Sequence, residues 1–348
     1  MINVRKYTNL TDVIIPNTTL YSTGDFSNVF ANLTNLKNSQ INSKVITNMS
    51  YTYYNCFNLV NSPISDSNVT NMTYAYIRCY NTKGAPACGT NVVNMSCTYH
   101  SCNNISGNPV CGPNVTNMSF AYYLCKNLSG KPVVGNNVVN FRAAYRECHG
   151  LTGSPVYTNK ITDMGYAYAN CRKLTGSPVC GNNVTDMSYT YDRCYGLTGN
   201  PVCGNKVTQM AYAYYNCSNL TGNPICGPNV TNIVGAYAEA DNRLGTSAYF
   251  YSPNLAMVTS CFYNKNNNKR LNIYIPGGST THSTILNSNS SGSLVGKDIT
   301  YTFNDKYYYN GIYNIYIYPL ANVAQGPNGI PYFGPATAMY YSDKSLVF

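Results

Sequence analysis

The sequence has no tryptophan and few charged residues. Only 10% of its 348 residues are Asp, Glu, Lys or Arg, against roughly 25% in an average soluble domain. The formal net charge of +10 arises because acids are scarce (12), not because bases are abundant (22). A basic excess can indicate nucleic-acid binding. These bases are scattered, however, and their densest run is NKNNNKR at 264–270, so we expect no nucleic-acid partner.

Long apolar runs are also missing. No window approaches the ~18 consecutive apolar residues of a membrane-spanning helix. The first residues, MINVRKYTNLTDVIIP, contain no continuous apolar segment of the kind found in secretory signals. We expect no membrane insertion, and we expect a protein that stays in the cytoplasm or leaves the cell by another route, such as within a virus particle.

Patterns typical of enzymes and metal proteins are absent as well. The sequence contains no G-x-S-x-G nucleophile motif, no phosphate-binding loop and no C-x-x-C pair among its 15 cysteines. Cys97, His100 and Cys102 lie close together in CTYHSC but have no fourth ligand nearby. Asp163 and Asp186, 23 residues apart, are explained by capping. We therefore expect no catalytic residues, no metal and no cofactor.

What the sequence does contain is a strict 23-residue repeat, which is the pattern to seek first. The pattern of the stretch NMSYTYYNC at 48–56 recurs every 23 residues without any insertion. We use its methionine as the anchor of each repeat. The anchor column is Met49, Met72, Met95, Met118, Phe141, Met164, Met187, Met210 and Ile233.

Two further columns hardly vary. A tyrosine follows four residues after every anchor (the tyrosine column), and a cysteine follows seven residues after the first eight anchors (the cysteine column). The tyrosine column runs Tyr53, Tyr76, Tyr99, Tyr122, Tyr145, Tyr168, Tyr191, Tyr214, Tyr237. The cysteine column runs Cys56, Cys79, Cys102, Cys125, Cys148, Cys171, Cys194, Cys217. Spacings of four and seven predict one face of a short helical turn, and the Asn or Asp before most anchors predicts its N-cap.

The second half of each repeat, for example LTGNPVCG, predicts a turn and a short extended piece. Proline fourteen residues after the anchor, from Pro63 to Pro224, cannot donate to a strand ladder. We expect a fragmentary sheet there, with strands of about two to four residues. One such unit cannot bury its apolar face alone, so the repeats should stack into a solenoid. The stacked cysteines should be buried free thiols, with coil-to-coil disulfides as the alternative.

The segments VTNMSFAYYLCKNLSG (115–130) and VTQMAYAYYNCSNLTG (207–222) resemble the leucine-rich repeats of the BspA type. The resemblance covers roughly residues 26–240. It implies a leucine-rich-repeat-like solenoid of short helical turns and short strands. Members of this family are similar to surface and adhesion proteins, and related repeats occur in bacteriophage proteins. The resemblance thus implies a structural or recognition protein, expected in a phage virion for host attachment or particle assembly, with a bacterial surface adhesin as the alternative.

The chain should divide into four parts. We expect an N-terminal cap at 1–25, nine repeats at 26–240, degenerate capping coils at 241–278 and a tyrosine-rich β module at 279–348. In the last part, Asn310-Gly311 lies between two Tyr/Ile runs, which predicts a hairpin.

Two columns are candidate binding surfaces because they vary from repeat to repeat. The variable column follows each tyrosine of the tyrosine column, and the turn column precedes each proline. The candidate binding residues are Tyr54, Tyr123, Arg146 and Tyr215 of the variable column and Asn108, Lys131, Asn200 and Asn223 of the turn column. Expected partners are other virion proteins, a host surface protein or a glycan, and a homo-oligomer is also open.

Overall fold

The computed structural model describes residues 4–15, 24–41, 46–61, 68–240 and 244, and the backbone of five strands beyond them. The chain forms two compact units, Met1–Thr175 and Gly176–Phe348. The boundary between them falls inside the predicted repeat region. The proline Pro63, the hairpin residue Asn310 and most of the basic run at 264–270 lie outside the described residues.

The strands are few and short. The first unit contains a 3-10 helix, Val4–Lys6, and a parallel pair formed by β1 (Asp12–Ile15) and β2 (Asn38–Ile41). The second unit contains a six-stranded sheet in the order β3-β4-β8-β5-β7-β6. Its strands are β3 (Ile225–Cys226), β4 (Ser247–Phe250), β5 (Lys269–Tyr274), β6 (Ser283–Ile285), β7 (Asp298–Thr302) and β8 (Gly311–Ile317). The sheet therefore joins a repeat, through β3, to strands of the two following sequence parts.

The hairpin predicted at Asn310-Gly311 has its turn residue and first arm outside the described residues, but the strands on either side of it are described. β8 pairs in parallel with both β4 and β5, whereas β7 pairs antiparallel with β5. β5 thus lies between β7 and β8, and β4 pairs with the second half of β8, from Asn314 to Ile317. The Tyr/Ile alternation correctly indicates strands, but strand pairing depends on segments far apart in the chain, which local turn chemistry does not reveal.

We call each 23-residue repeat a coil. The predicted helical turn is wrong, because every second backbone N–H donates its hydrogen bond to the next coil instead of to its own. In the coil that begins at Met95, alternate N–H groups donate to carbonyls of the next coil at 2.7 to 2.9 Å. The pairs are Met95 to Asn117, Cys97 to Ser119, Tyr99 to Ala121 and Ser101 to Tyr123. The N–H groups between them close turns of three residues inside the coil, whereas an α-helix would bond every N–H four residues back.

Two positions in each coil have left-handed backbone. In the coil of Met118 these are Phe120, with φ of 55°, and Leu124, with φ of 65°. A bulky residue rarely adopts this conformation, which costs about 1–2 kcal/mol per residue. Both residues donate their N–H groups to the next coil, to the carbonyls of Arg142 and Arg146 at 2.9 Å. The bonds between coils therefore offset the backbone strain.

The Asn or Asp before most anchors closes an Asx turn instead of capping a helix. The side-chain oxygen of Asn117 accepts from the N–H of Ser119 at 2.9 Å, and that of Asp163 accepts from Gly165 at 2.8 Å. The same residues also bridge neighbouring coils in parallel. In the first unit the bridged series runs Asp25, Asn48, Asn71, Asn94, Asn117, Asn140 and Asp163, and in the second it runs Asp186, Gln209 and Asn232.

The tyrosine column forms the centre of the core in each unit. Its side chains are at most 1% exposed. In the first unit neighbouring rings from Tyr53 to Tyr168 stack with centroids 5.1 to 5.8 Å apart. In the second unit the rings of Tyr191, Tyr214 and Tyr237 stack at 5.5 and 5.3 Å. Offset-stacked rings at these distances stabilise the core beyond their buried area.

The same tyrosines explain why the proline side of the repeats forms so little sheet. The Tyr122 hydroxyl donates to the carbonyl of Val110 at 2.6 Å and accepts from its N–H at 3.0 Å. Val110 directly follows Pro109, so one hydroxyl satisfies both backbone groups of that residue. Within the described part of 26–240, pairing here is limited to β2, β3 and isolated bridges such as Gly130 to Leu151.

Candidate binding surfaces

Cysteine is the most reactive residue type in the repeat, but the surroundings of the cysteine column make its thiols unreactive. The Cys125 thiol donates to the carbonyl of Tyr99 at 2.9 Å, and the Cys148 thiol donates to that of Tyr122 at 3.0 Å. Burial raises the pKa of both thiols. A buried thiol that stays protonated is a poor nucleophile and a poor metal ligand.

All fourteen described cysteines are free. Within the described residues, no group of three or more His, Cys, Asp or Glu side chains is placed to hold a metal ion. His100 forms a hydrogen bond with Ser101 at 2.9 Å and packs edge-on against the Tyr123 ring, while Cys97 and Cys102 are buried. The cluster CTYHSC is therefore part of the packing.

The variable column is only partly displayed. Its candidate residues Tyr54, Tyr123, Arg146 and Tyr215 are half-buried. Other members of the column, Ile77, Ala169 and Asp192, are buried. Variation along this column therefore reflects packing in some coils and contact with solvent in others.

A second column of rings, missed in the sequence, lies beside the variable column. It occupies the left-handed position two residues after each anchor, and we call it the ring column. Its members are Tyr51, Tyr74, Cys97, Phe120, Ala143, Tyr166, Tyr189, Tyr212 and Gly235. Its tyrosines and Phe120 are half-buried. Tyr51 stacks on Tyr74 at 4.7 Å, and Tyr189 stacks on Tyr212 at 4.8 Å.

The two columns together form a half-exposed aromatic face in each unit. Tyr51 packs against Tyr54 with centroids 5.7 Å apart in the first unit, and Tyr212 packs against Tyr215 at 5.8 Å in the second. Phe120 meets Tyr123 at 6.0 Å. We define the aromatic face as the half-buried rings of the ring column and the variable column. Tyrosine supplies both a ring and a hydroxyl, which makes such a face suited to contact with a partner.

One coil of the first unit places arginines in this face. Its ring-column residue is Ala143, which leaves the ring ladder without a ring between Phe120 and Tyr166. The guanidinium of Arg146 lies over the Tyr123 ring at 5.2 Å and over the Tyr166 ring at 4.8 Å. Arg142 lies over Tyr166 at 5.4 Å and forms an ion pair with Asp163 at 3.5 Å. Of the sequence-predicted residues, the structure thus brings Tyr123 and Arg146 together.

A polar network borders this arginine pair. A carboxylate oxygen of Glu147 accepts from the side-chain amide of Asn170 at 2.6 Å and contacts His149 Nε2 at 3.0 Å. Arg172 in turn donates to the Asn170 side-chain oxygen at 2.8 Å. These contacts fix Glu147 away from ion-pair contact with Arg146, its neighbour in the chain.

The turn column is exposed, as expected for a candidate surface, but its members pack on glycines of the next coil. Asn108 and Lys131 are exposed in the first unit, and Asn200 and Asn223 in the second. A methyl group on Gly222 would come within 2.1 Å of Asn200 Oδ1. The bare glycine backbone is what lets the Asn200 amide lie there.

Asn200 and Asn223 share an open cleft in the second unit, which we call the amide cleft. Its volume is about 320 Å³, near the lower end of ligand pockets. The lining residues are Asn200, Pro201, Thr221, Gly222, Asn223 and Ile225. None of them is charged, so the cleft suits a small neutral group with hydroxyls or amides.

Comparisons with known proteins leave the chain without an assigned family. No family model matches the sequence, no curated protein is similar to it, and no solved structure matches its fold. Among the helices of the described residues, none has the length and apolar character needed to cross a bilayer. The evidence for function therefore comes from the surfaces of this chain.

Proposed function

We propose that the protein is a structural and recognition protein, built as a leucine-rich-repeat-like solenoid that presents its aromatic face to a partner. The observation that carries this proposal is that two adjacent residues of one repeat differ in burial. Tyr122 is fully buried with its hydroxyl bonded to Val110, whereas Tyr123 beside it is half-buried in the aromatic face. The repeat thus supports a core and a contact surface at once.

The reactive groups of the repeat support recognition over catalysis. The thiols of the cysteine column donate to backbone carbonyls, and burial raises the pKa of those whose shift is resolved, such as Cys102 and Cys217. The Asn and Asp side chains before the anchors close Asx turns. Each of these groups has a structural role that a catalytic role would disrupt.

Our finer proposal places the protein in a bacteriophage virion, where it serves host attachment or particle assembly. It rests on the resemblance of the repeats to those of BspA-type proteins and on the low charge of the chain. The expected partners are other virion proteins, a host surface protein or a glycan. A bacterial surface adhesin with the same kind of repeats is the second candidate, supported by the same resemblance.

Fractionation of a culture that produces the protein tests whether it belongs to a virion or to the bacterial surface. Purified particles and cell envelopes are digested, and peptides of the chain are quantified by mass spectrometry in each fraction. The virion proposal predicts peptides from the whole of 26–240 in particles, at a constant ratio to the main particle proteins. Enrichment in the envelope fraction instead would favour the adhesin, and absence from both fractions would contradict both candidates.

A further inference from the structure

Arg146 is a half-buried charge whose guanidinium lies over two aromatic rings. It lies over the rings of Tyr123 and Tyr166, at 5.2 and 4.8 Å. No described residue accepts a hydrogen bond from its guanidinium or forms an ion pair with it. Ring faces attract the cation, and they leave its in-plane N–H donors open to water or to a ligand.

The other arginines whose side chains are described either have a polar partner or are exposed to solvent. Arg142 pairs with Asp163 at 3.5 Å, and Arg193 pairs with Asp192 at 3.2 Å. Arg172 donates to the Asn170 side chain. Arg78 is exposed to solvent, which satisfies its donors. Arg146 alone in this set is half-buried and has no acceptor or carboxylate partner among the described residues, and a partly desolvated charge is stabilised when an anion approaches it.

The local packing also preorganises the Arg146 side chain for binding. Tyr123 is fixed by an edge-on contact with His100 at 4.7 Å and by Phe120 at 6.0 Å. The gap that Ala143 leaves in the ring column provides room for the guanidinium over Tyr166. A planar guanidinium held between two rings loses little freedom when it forms two parallel hydrogen bonds.

We infer that Arg146 is the anchor of a binding site for a carboxylate-bearing glycan, a deepening that rests on the proposed recognition function. The guanidinium matches a carboxylate through two parallel N–H···O bonds. Glu147 follows Arg146 in the chain and pairs with His149, and its negative charge disfavours a phosphate dianion more than a carboxylate with one charge. An acidic sugar fits the rest of the surface, because its C–H face packs on tyrosine rings and its hydroxyls reach the tyrosine hydroxyls.

Titration calorimetry on the full chain tests this site. The probes are tetrasaccharides of galacturonate, glucuronate and mannuronate, with the same oligosaccharides reduced to neutral sugars as controls. We expect the wild type to bind at least one acidic tetrasaccharide and to bind its neutral counterpart at least tenfold more weakly. Arg146→Gln should weaken the acidic binding by at least tenfold. Arg146→Lys, which keeps the charge but not the paired donors, should fall between the two.

Lys83→Gln is the control, because it removes an exposed positive charge from the same unit outside the aromatic face, and it should leave the affinity unchanged. Circular dichroism of each variant checks that the fold is retained. Wild-type protein that binds none of the acidic sugars, or Arg146→Gln that binds them as well as the wild type, would overturn the inference. Tighter, Arg146-dependent binding of hexaglutamate would replace the glycan by an acidic peptide. None of these results tests whether the protein belongs to a virion, which the fractionation experiment decides separately.

Discussion

The Tyr122 hydroxyl donates to the Val110 carbonyl and accepts from the Val110 N–H, with O···O and N···O distances of 2.6 and 3.0 Å. The two residues belong to neighbouring coils, so a side chain of one coil replaces the strand partner of the other. The same double contact recurs at Tyr145 with Val133 and, in the second unit, at Tyr214 with Val202. The tyrosine column is therefore both a stack of rings and a set of backbone partners.

Tyr122→Phe should destabilise the first unit although it keeps the ring. The change leaves the N–H and carbonyl of Val110 without the hydroxyl, and a buried unsatisfied group costs about 1–3 kcal/mol. Urea denaturation measures the free energy of unfolding. Tyr123→Phe is the matched control, since that residue is half-buried with its ring on the aromatic face, and it should be nearly neutral. A neutral Tyr122→Phe would mean that water replaces the hydroxyl at Val110.

The thiols should be free in the native protein. The cysteine column donates to backbone carbonyls, as Cys125 does to Tyr99 at 2.9 Å, and these bonds require protonated thiols. Alkylation of denatured, non-reduced protein followed by mass spectrometry should therefore label most of its cysteines. In the native state the same reagent should label the intermediate-exposure cysteines Cys88 and Cys111 before Cys125. Extensive disulfide bridging would contradict the packing role of the column.

Alkaline pH should unfold the protein, because burial raises thiol pKa values. The pKa is about 12 for Cys111 and Cys203 and about 11 for Cys180, whereas an unfolded thiol ionises near about 8.5. Between these values the unfolded chain has lost protons that the native chain keeps. The free energy of unfolding should thus be fully present below about pH 8.5 and fall as pH rises towards 12. A stability that stays constant from pH 8 to 11 would contradict the partial burial of these thiols in the native state.

Asn117 tests the Asx turn that precedes most anchors. Asn117→Ala removes the side-chain oxygen that accepts from Ser119 N–H at 2.9 Å and should cost about 0.5–2 kcal/mol, as at helix N-caps. Asn117→Asp should retain most of the stability, because Asp163 and Asp186 form the same contact at 2.8 and 2.7 Å. Thermal denaturation compares the three proteins. Equal loss from both changes would show that the amide nitrogen matters more than the oxygen.

Much of the core could be predicted from the sequence, because its columns repeat with one period. A residue such as Tyr99 or Cys102 that recurs every 23 residues has the same neighbours in every coil, so its burial follows from the pattern. The backbone conformation could not be predicted in this way. Spacings of four and seven fit an α-helix, and they fit equally well a series of turns in which Cys97 and Ser101 have left-handed backbone.

The candidate surface was only partly visible for a related reason. The variable column was found because it changes between coils, and it contains Tyr123 and Arg146. The ring column also changes, but Cys97 and Ala143 interrupt its rings, and its position beside the variable column depends on the left-handed backbone. A search for aromatic residues two positions after each anchor would have found Tyr51, Tyr74 and Phe120.

The most direct test of the account compares two adjacent residues, Tyr122 and Tyr123, by the free energy of unfolding of their alanine variants. The account predicts that Tyr122→Ala loses about 3–5 kcal/mol, as do other large core truncations. Tyr123→Ala, on the aromatic face, should lose well under half as much. Equal losses, or a larger loss at Tyr123, would contradict the assignment of one tyrosine to the core and its neighbour to the contact surface.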